Sequence, residues 1–87
     1  AINEVLAALA DDTRRKILLK LQEGKISSGD LAIALDMTPQ ALSIIYKAKK
    51  ADLIYETRYK NFIYYELNLT VLEELMMWLS DLKNKEN

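Results

Sequence analysis

Cysteine and histidine are both absent from this chain of 87 residues. Without cysteine no disulfide can staple the fold, and a reducing, cytoplasmic setting is the natural reading. The same absence removes the thiolate and imidazole ligands of transition-metal sites, and carboxylates alone suit only hard cations. The chain also has only two glycines, so it offers no glycine-rich phosphate loop. We therefore expect neither a metal nor any other cofactor.

Catalytic pairs and long apolar runs are missing as well. Without cysteine or histidine no ordinary nucleophile–base pair is available, so we do not expect an enzyme. No apolar run approaches the roughly 18 residues that a membrane span needs. Residues 1–10 lack the basic start of a signal peptide and carry Glu4. We expect a soluble protein that does not insert into a membrane.

The net charge of −1 conceals a segregated distribution of charges. Residues 14–25 hold five basic side chains against one acidic, and residues 47–60 hold five against two. Local segregation, rather than net charge, sets the field that a partner meets. The basic run Arg14-Arg15-Lys16 falls at a helix start, where cations oppose the helix dipole. We expect it to pair with Asp11 and Asp12 more than to contact a partner.

Apolar spacing and capping residues predict a single domain over 1–87 that is mainly α with a small β-hairpin. The predicted helices cover about 2–10, from Asp11 or Asp12 to Gln22 or Glu23, from Ser27 or Ser28 to Leu35, 38–51 and 70–83, the last with a Thr70–Glu73 capping box. Residues 53–57 and 62–67 are rich in aromatic and β-branched types and predict two strands joined by a turn at 58–61. A short helix, a tight turn at Asp36-Met37, a capped second helix and a hairpin together predict a winged helix-turn-helix.

The helix predicted at 38–51 is the candidate recognition helix, with Thr38 as its N-cap and Pro39 at its first position. At 100° per residue its buried face holds Ala41, Leu42, Ile45 and Ala48. The opposite, polar face holds Gln40, Ser43, Lys47 and Lys50. Amide, hydroxyl and ammonium groups of this kind reach base edges and phosphates in a major groove. The alternative is the solvated face of an ordinary amphipathic helix.

The hairpin tip Arg58-Tyr59-Lys60-Asn61 is the second candidate contact. A two-stranded ribbon can hold cations and an aromatic ring against the minor groove or the backbone. We therefore expect Arg58, Tyr59 and Lys60 to contact DNA. A turn that only improves solubility is the alternative.

The last helix is apolar over more than one face, so it must bury two surfaces. One stripe would hold Leu72, Leu75, Met76, Leu79 and Leu82, and Val71, Met77 and Trp78 lie outside it. We expect a homodimer formed by the first and last helices, through Ile2, Val5, Leu6, Leu9, Val71, Leu75, Trp78, Leu79 and Leu82. The alternative is a groove for a small apolar ligand, lined by Trp78 and the methionines.

Several segments resemble the ArsR-type winged-helix repressors, and the SdpR-like subgroup among them. They are A-L-A-D-D-T-R-R-K-I-L-L-K-L at 8–21, G-D-L-A at 29–32, A-D-L-I at 51–54, F-I-Y-Y-E-L-N at 62–68 and V-L-E-E-L-x-x-W-L at 71–79. The resemblance covers nearly the whole chain. It implies a homodimer with a recognition helix around 38–51, a wing around 53–67 and repression at a palindromic operator.

Two features depart from the pattern of that family. The recognition helix lacks the usual S-x-H-L-x-x-L-x-x-A, and residues 43–51 are one residue short of it. If the missing residue rotates the helix, Ile44 rather than Ser43 faces the major groove, where its side chain can contact only a thymine methyl. The cysteine and histidine ligands of the metal-sensing members are also absent. Two functions stay open: a dimeric repressor of transcription that binds double-stranded DNA, and a protein-interaction module that has lost DNA binding. An inactivating protein is a further possible partner.

Overall fold

The computed structural model describes residues 2–84. Within that range it has five α-helices, one 3₁₀ helix and a three-stranded antiparallel sheet of order β1-β3-β2. The elements are α1 (Ile2–Leu9), α2 (Asp12–Leu21), β1 (Ile26–Ser27), α3 (Ser28–Ala34), the 3₁₀ helix (Ala41–Ile45), α4 (Tyr46–Lys50), β2 (Ile54–Tyr59), β3 (Phe62–Leu67) and α5 (Leu69–Lys83). The order of helices and hairpin agrees with the predicted winged helix-turn-helix.

The core lies where the first four helices meet the sheet. Ile17 of α2, Leu31 of α3 and Leu53 before β2 are fully buried. Val5 joins them from α1 and Tyr65 from β3. Burying an aliphatic side chain of this size stabilises a fold by about 1.5–3 kcal/mol. These residues fix the orientation of the helix that follows α3 relative to the hairpin.

Two arginines of α2 cap the end of α1. Arg14 Nε donates to the carbonyl of Ala8 across 2.8 Å, and Arg15 Nη1 donates to that of Leu9 across 2.6 Å. The last carbonyls of a helix have no partner within it, so cationic donors are well placed there. This capping of α1 was not predicted, and Arg15 combines it with the predicted pairing to Asp12.

Asp11 and Asp12 hold the start of α2. Asp11 Oδ2 accepts from the backbone N–H of Arg14 across 2.9 Å, which makes Asp11 the N-cap. That hydrogen bond is the main reason that the pKa of the Asp11 carboxyl lies below its usual value. Asp12 pairs with Lys16 at 3.3 Å and with Arg15 at 3.7 Å. The expected ion pairs are confirmed for Asp12.

The tight connection after α3 is present. Asp36 adopts a left-handed φ of 53°, and the Met37 amide donates to the carbonyl of Ala32 across 2.8 Å. This pair of features ends the helix and turns the chain back toward the core. At the other end of α3, the hydroxyl of Ser27 accepts from the Asp30 amide, so Ser27 rather than Ser28 is the cap.

The hairpin has a shorter turn than predicted. Arg58 pairs with Ile63 and Tyr59 with Phe62, so both are strand residues and the turn is Lys60-Asn61 alone. The predicted four-residue turn at 58–61 is wrong because Lys60 adopts a left-handed φ of 55°. That conformation permits a two-residue turn. A third strand, β1, pairs Ile26 with Tyr65 and was not predicted, since two residues carry no readable periodicity.

Helix α5 begins at Leu69, one residue before Thr70, the predicted N-cap. Asn68 is the N-cap, and its Oδ1 accepts from the Thr70 amide across 3.1 Å. Thr70 lies inside the helix, so the predicted Thr70–Glu73 capping box is wrong. The predicted end near Lys83 is confirmed. None of the helices in residues 2–84 has both the length and the apolar character to cross a membrane.

Candidate nucleic-acid interface

The segment predicted as one recognition helix consists of a turn followed by two short helices of different type. Residues 39–40 form a turn, Ala41–Ile45 a 3₁₀ helix, and Tyr46–Lys50 an α-helix of five residues. The early backbone bonds join residues three apart: the Ala41 amide donates to Thr38, and the Ser43 amide to Gln40, each across 3.1 Å. That spacing defines a 3₁₀ turn, a form common at the start of helices.

The 3₁₀ geometry changes which side chains are buried. Leu42 and Ile45 are three residues apart, which is one 3₁₀ turn, so they share a face and both lie in the core. Ala48 continues that face into α4. Ala41 is exposed, so its predicted burial is wrong. Ile44 is half-buried against the core, which leaves Ser43 as the residue that points outward.

The predicted polar face is exposed. Gln40, Ser43, Lys47 and Lys50 all lie on the surface of the recognition segment, defined here as residues 38–50. Thr38 is exposed too, and its Oγ1 accepts from the Ala41 amide across 3.1 Å. A hydroxyl that accepts in this way keeps its own hydrogen, which remains available to a phosphate oxygen. The segment therefore presents an amide, two hydroxyls and two ammonium groups to solvent.

The first helix lies beside the end of this polar face. Glu4 and Ala7 of α1 line a shallow depression together with Tyr46, Lys47 and Lys50. A carboxylate so placed reduces the local positive field that the two lysines produce. The surface that faces away from α1 is therefore the more favourable side for an anion.

The wing, defined as β2, β3 and their turn, presents its tip residues on two faces. Successive side chains of a strand point to opposite sides, so Arg58 shares a face with Glu56, and Tyr59 shares the other with Tyr55. Arg58, Tyr59 and Lys60 are all exposed. The Lys60 ammonium lies 5.4 Å from the centre of the Tyr59 ring, within the range of a cation–π contact. The two faces of the ribbon therefore offer different chemistry to a partner.

The recognition segment and the wing are joined by an ion pair that was not expected from the sequence. Lys49 Nζ of α4 lies 2.5 Å from Glu56 Oε1 of β2. The hydrogen bond with Glu56 raises the pKa of the Lys49 ammonium above its usual value. Tyr65 lies opposite Glu56 on β3, and burial raises the pKa of its phenol. No local motif carries this contact, because the two residues belong to different elements.

The first and last helices leave an apolar surface uncovered. Helix α5 has no buried side chain. Leu72 and two of the residues predicted at a dimer interface, Val71 and Leu75, are half-buried against the core. The predicted interface residues that are exposed are Leu6, Trp78, Leu79 and Leu82. Leu69, Met76 and Met77 of α5 are exposed as well, and these seven side chains are exposed by 45% to 69%.

The other predicted interface residues lie closer to the core. Val5 is only 6% exposed, so it has little surface left for a partner. Leu9 is half-buried against the core, and Ile2 is half-buried too. Ile2 and Trp78 line a cavity between α1 and α5. No group of three or more acidic side chains within residues 2–84 is arranged to hold a metal ion.

Comparisons with known proteins agree with this geometry. No family model matches the chain. The chain is 38% identical over 85 residues to the transcriptional repressor SdpR of Bacillus subtilis, and the match covers 97% of this chain and 94% of that protein.

Solved structures share the fold. The antimony-specific transcriptional repressor AntR is 30% identical with a TM-score of 0.71, over 98% of this chain and 79% of that one. An ArsR family transcriptional regulator has a TM-score of 0.82 at 24% identity, over 94% and 86%. A homodimeric winged helix-turn-helix DNA-binding domain from Mycobacterium bovis has a TM-score of 0.77 at 23% identity, over 99% and 83%. From its likeness to SdpR across nearly its whole length and from the fold, the chain belongs to the ArsR-type winged helix-turn-helix family of transcriptional regulators.

Proposed function

We propose that this protein is a homodimeric transcriptional repressor that binds double-stranded DNA at an inverted-repeat operator. The observation that carries the proposal is the polar surface of the recognition segment, where Gln40, Ser43, Lys47 and Lys50 are exposed beside a wing with two cations at its tip. The family and the likeness to a known repressor support it. Such a regulator works at the nucleoid, in the bacterial cytoplasm.

The two contact groups have different roles in this proposal. Gln40, Ser43 and Lys47 face base edges or nearby phosphates in the major groove, where an amide can pair with adenine. Lys50, Arg58 and Lys60 contact phosphates or the minor groove and add affinity without sequence preference. Thr38 donates its hydroxyl hydrogen to a phosphate at the start of the segment, and Tyr59 packs against the sugar–phosphate backbone.

The dimer supplies the symmetry of the operator. Leu6 of α1 and Trp78, Leu79 and Leu82 of α5 are the exposed apolar residues that a second copy would cover. A two-fold dimer places its two recognition segments about 34 Å apart, which is one turn of B-DNA. The half-sites of the operator are then inverted and separated by one helical turn.

One observation favours a second function, that of a protein-interaction module. The α-helical part of the recognition segment has only five residues and is preceded by a 3₁₀ helix, so less of it can lie in a major groove. An altered helix of this kind suits a winged helix that contacts another protein instead of DNA. The two functions differ in whether the polar face is needed for binding to nucleic acid.

Selection of bound fragments from a random DNA pool, followed by gel shifts at two salt concentrations, tests the proposed function. A repressor should enrich an inverted repeat. Its affinity for DNA should fall steeply as the salt concentration rises, because its lysine and arginine side chains release the counterions bound to the DNA phosphates. Enrichment of no sequence, together with no shift of any fragment at low salt, would reject DNA binding and support the interaction module. A variant that replaces Lys47 and Lys50 with alanine gives the matched comparison.

A further inference from the structure

The tip of the wing has no packing of its own against the core. Every residue from Thr57 to Phe62 is exposed. Below the tip, Ile54 and Tyr65 are buried. On β3 the ribbon is held by Ile63, which packs against the core, and by Tyr64, which pairs with Ser27 of β1. On β2 it is held by the side chain of Glu56, so the direction of the tip depends in part on the contact that Glu56 makes.

The contact at that point comes from the recognition segment. Lys49 lies in α4 and Glu56 in β2, and the two side chains are 34% and 31% exposed, so the pair is partly shielded from water. The ion pairs of Asp12 with Lys16 and of Lys20 with Glu23 join residues only three or four apart. The Lys49–Glu56 pair instead fixes one element relative to another.

The pair lies on the same side of the ribbon as the basic tip residue. Glu56 and Arg58 are two positions apart in β2, so their side chains leave the same face. Tyr65, opposite Glu56 on β3, is buried and lines a groove together with Lys49, Gln40 and Ser43. A rotation of the ribbon about this point would move Arg58 relative to the polar face of the recognition segment.

We propose that the Lys49–Glu56 ion pair is a positioning device that sets the angle between the wing and the recognition segment, so that Arg58 and Lys60 reach the DNA backbone while Gln40 and Ser43 lie in the groove. The inference rests on the proposed function, and it assigns to Lys49 and Glu56 a role distinct from contact with DNA.

The substitution Glu56→Gln separates positioning from plain electrostatics by the direction of its effect. If only charge mattered, removal of a carboxylate near a polyanion would tighten DNA binding, and a released Lys49 would tighten it further. If the ion pair positions the wing, Glu56→Gln should change the DNA affinity in the opposite direction. Binding should become roughly three- to tenfold weaker, and its salt dependence should become shallower, because the wing loses its phosphate contacts.

Three matched variants complete the test. Glu23→Gln makes the same change of charge and breaks the exposed Lys20–Glu23 pair, so it should leave binding unchanged or slightly tighter. Lys49→Arg keeps the ion pair and should bind like the wild type. In the Glu56→Gln background, Arg58→Ala should cause a smaller loss than in the wild type, since residues that act together give non-additive effects.

Affinity is measured by fluorescence anisotropy with the selected operator at several salt concentrations, after thermal melting and sedimentation show that each variant is folded and dimeric. Hydrogen exchange of the free protein gives a readout without DNA: Glu56→Gln should speed exchange of the wing amides and leave those of α2 unchanged. If the wild type binds DNA and the Glu56→Gln variant binds it equally well or more tightly, this inference is overturned and the proposed function is not. Absence of wild-type binding to any fragment would overturn the proposed function and this inference with it.

Discussion

The side-chain amide of Asn68 donates to the backbone carbonyl of Asp52 across 2.9 Å, while its Oδ1 accepts from the Thr70 amide. Asp52 adopts a left-handed φ of 60° in the turn between α4 and β2. The backbone amide of Asn68 also donates to the Leu53 carbonyl across 2.9 Å. One buried side chain therefore joins the turn after the recognition segment to the start of α5, and so links the segment proposed to contact DNA with the helix proposed to form the dimer.

Asn68→Ala should lower the free energy of unfolding by about 1–3 kcal/mol, because it removes a helix cap and leaves the Asp52 carbonyl without its partner. Asn68→Ser keeps a capping oxygen but does not reach Asp52, so its loss should be smaller. Urea denaturation of the two variants beside the wild type measures both losses. Equal stability of all three proteins would show that the contact is not important to the fold.

Gln40→Ala should cost about 1–3 kcal/mol of binding to the selected operator and almost nothing on unrelated DNA, because an amide that reads a base discriminates only where that base is present. Competition titrations with operator and scrambled duplexes measure the two affinities. Ala41→Ser, at an exposed neighbouring position, serves as the control. If Gln40, Ser43 and Lys47 all tolerate alanine without any change in binding, the recognition segment does not read DNA.

Arg58→Ala should weaken binding to all sequences about equally. The slope of log affinity against log salt should fall by roughly one unit for each lost phosphate contact, and therefore by about two in a dimer. Lys83→Ala, at the end of α5, removes the same charge away from the wing and should leave the slope unchanged. A loss confined to the operator would instead mean that Arg58 reads bases.

Trp78→Ala should weaken dimerisation by about 2–5 kcal/mol, because it removes a large side chain from the proposed interface. Its effect on the fold of one chain should be small, since Trp78 is 46% exposed within that chain. Leu75→Ala should affect both, because Leu75 also packs on the core. Leu19→Ala, on exposed α2 surface, is the control. Sedimentation equilibrium measures the association, and a monomeric wild type at tens of micromolar would reject the interface.

Stability should decrease in alkaline solution because of the Lys49–Glu56–Tyr65 cluster. The pKa of Lys49 is raised by its hydrogen bond with Glu56, and the pKa of Tyr65 is raised by burial. A group whose pKa is higher in the folded state contributes fully below its unfolded pKa and loses that contribution as pH rises through the folded value. The usual values are 10.5 and 10.0, so the free energy of unfolding should fall above about pH 10.

Urea denaturation between pH 8 and pH 11 measures that decrease. Lys49→Met and Tyr65→Phe each remove one titrating group and should make the dependence on pH shallower. Lys20→Met removes a lysine of the exposed Lys20–Glu23 pair and is the matched control. The same slope in the wild type and in both cluster variants would contradict the assignment.

Local sequence determined the order of the elements and much of the candidate surface. The sequence narrowed two helix caps to pairs of neighbours, Asp11 or Asp12 and Ser27 or Ser28, because a cap depends on a side chain and an amide only three residues away. Asp11 and Ser27 are the caps in the structure. The exposure of Gln40, Ser43, Lys47 and Lys50 followed from the spacing of the apolar residues between them. The resemblance to ArsR-type repressors was also readable, because its motifs are runs of adjacent residues.

Only the tertiary structure decided how those pieces meet. Asn68 replaced Thr70 as the cap of α5 because a carbonyl 16 residues earlier in the chain holds its side chain. Lys49, which was not among the residues of the predicted polar face, pairs with Glu56 in the neighbouring strand. The 3₁₀ start of the recognition segment brings Leu42 and Ile45 together into the core. Periodicity reports contacts within one or two turns, whereas these outcomes depend on which distant groups the packed core brings within hydrogen-bonding distance.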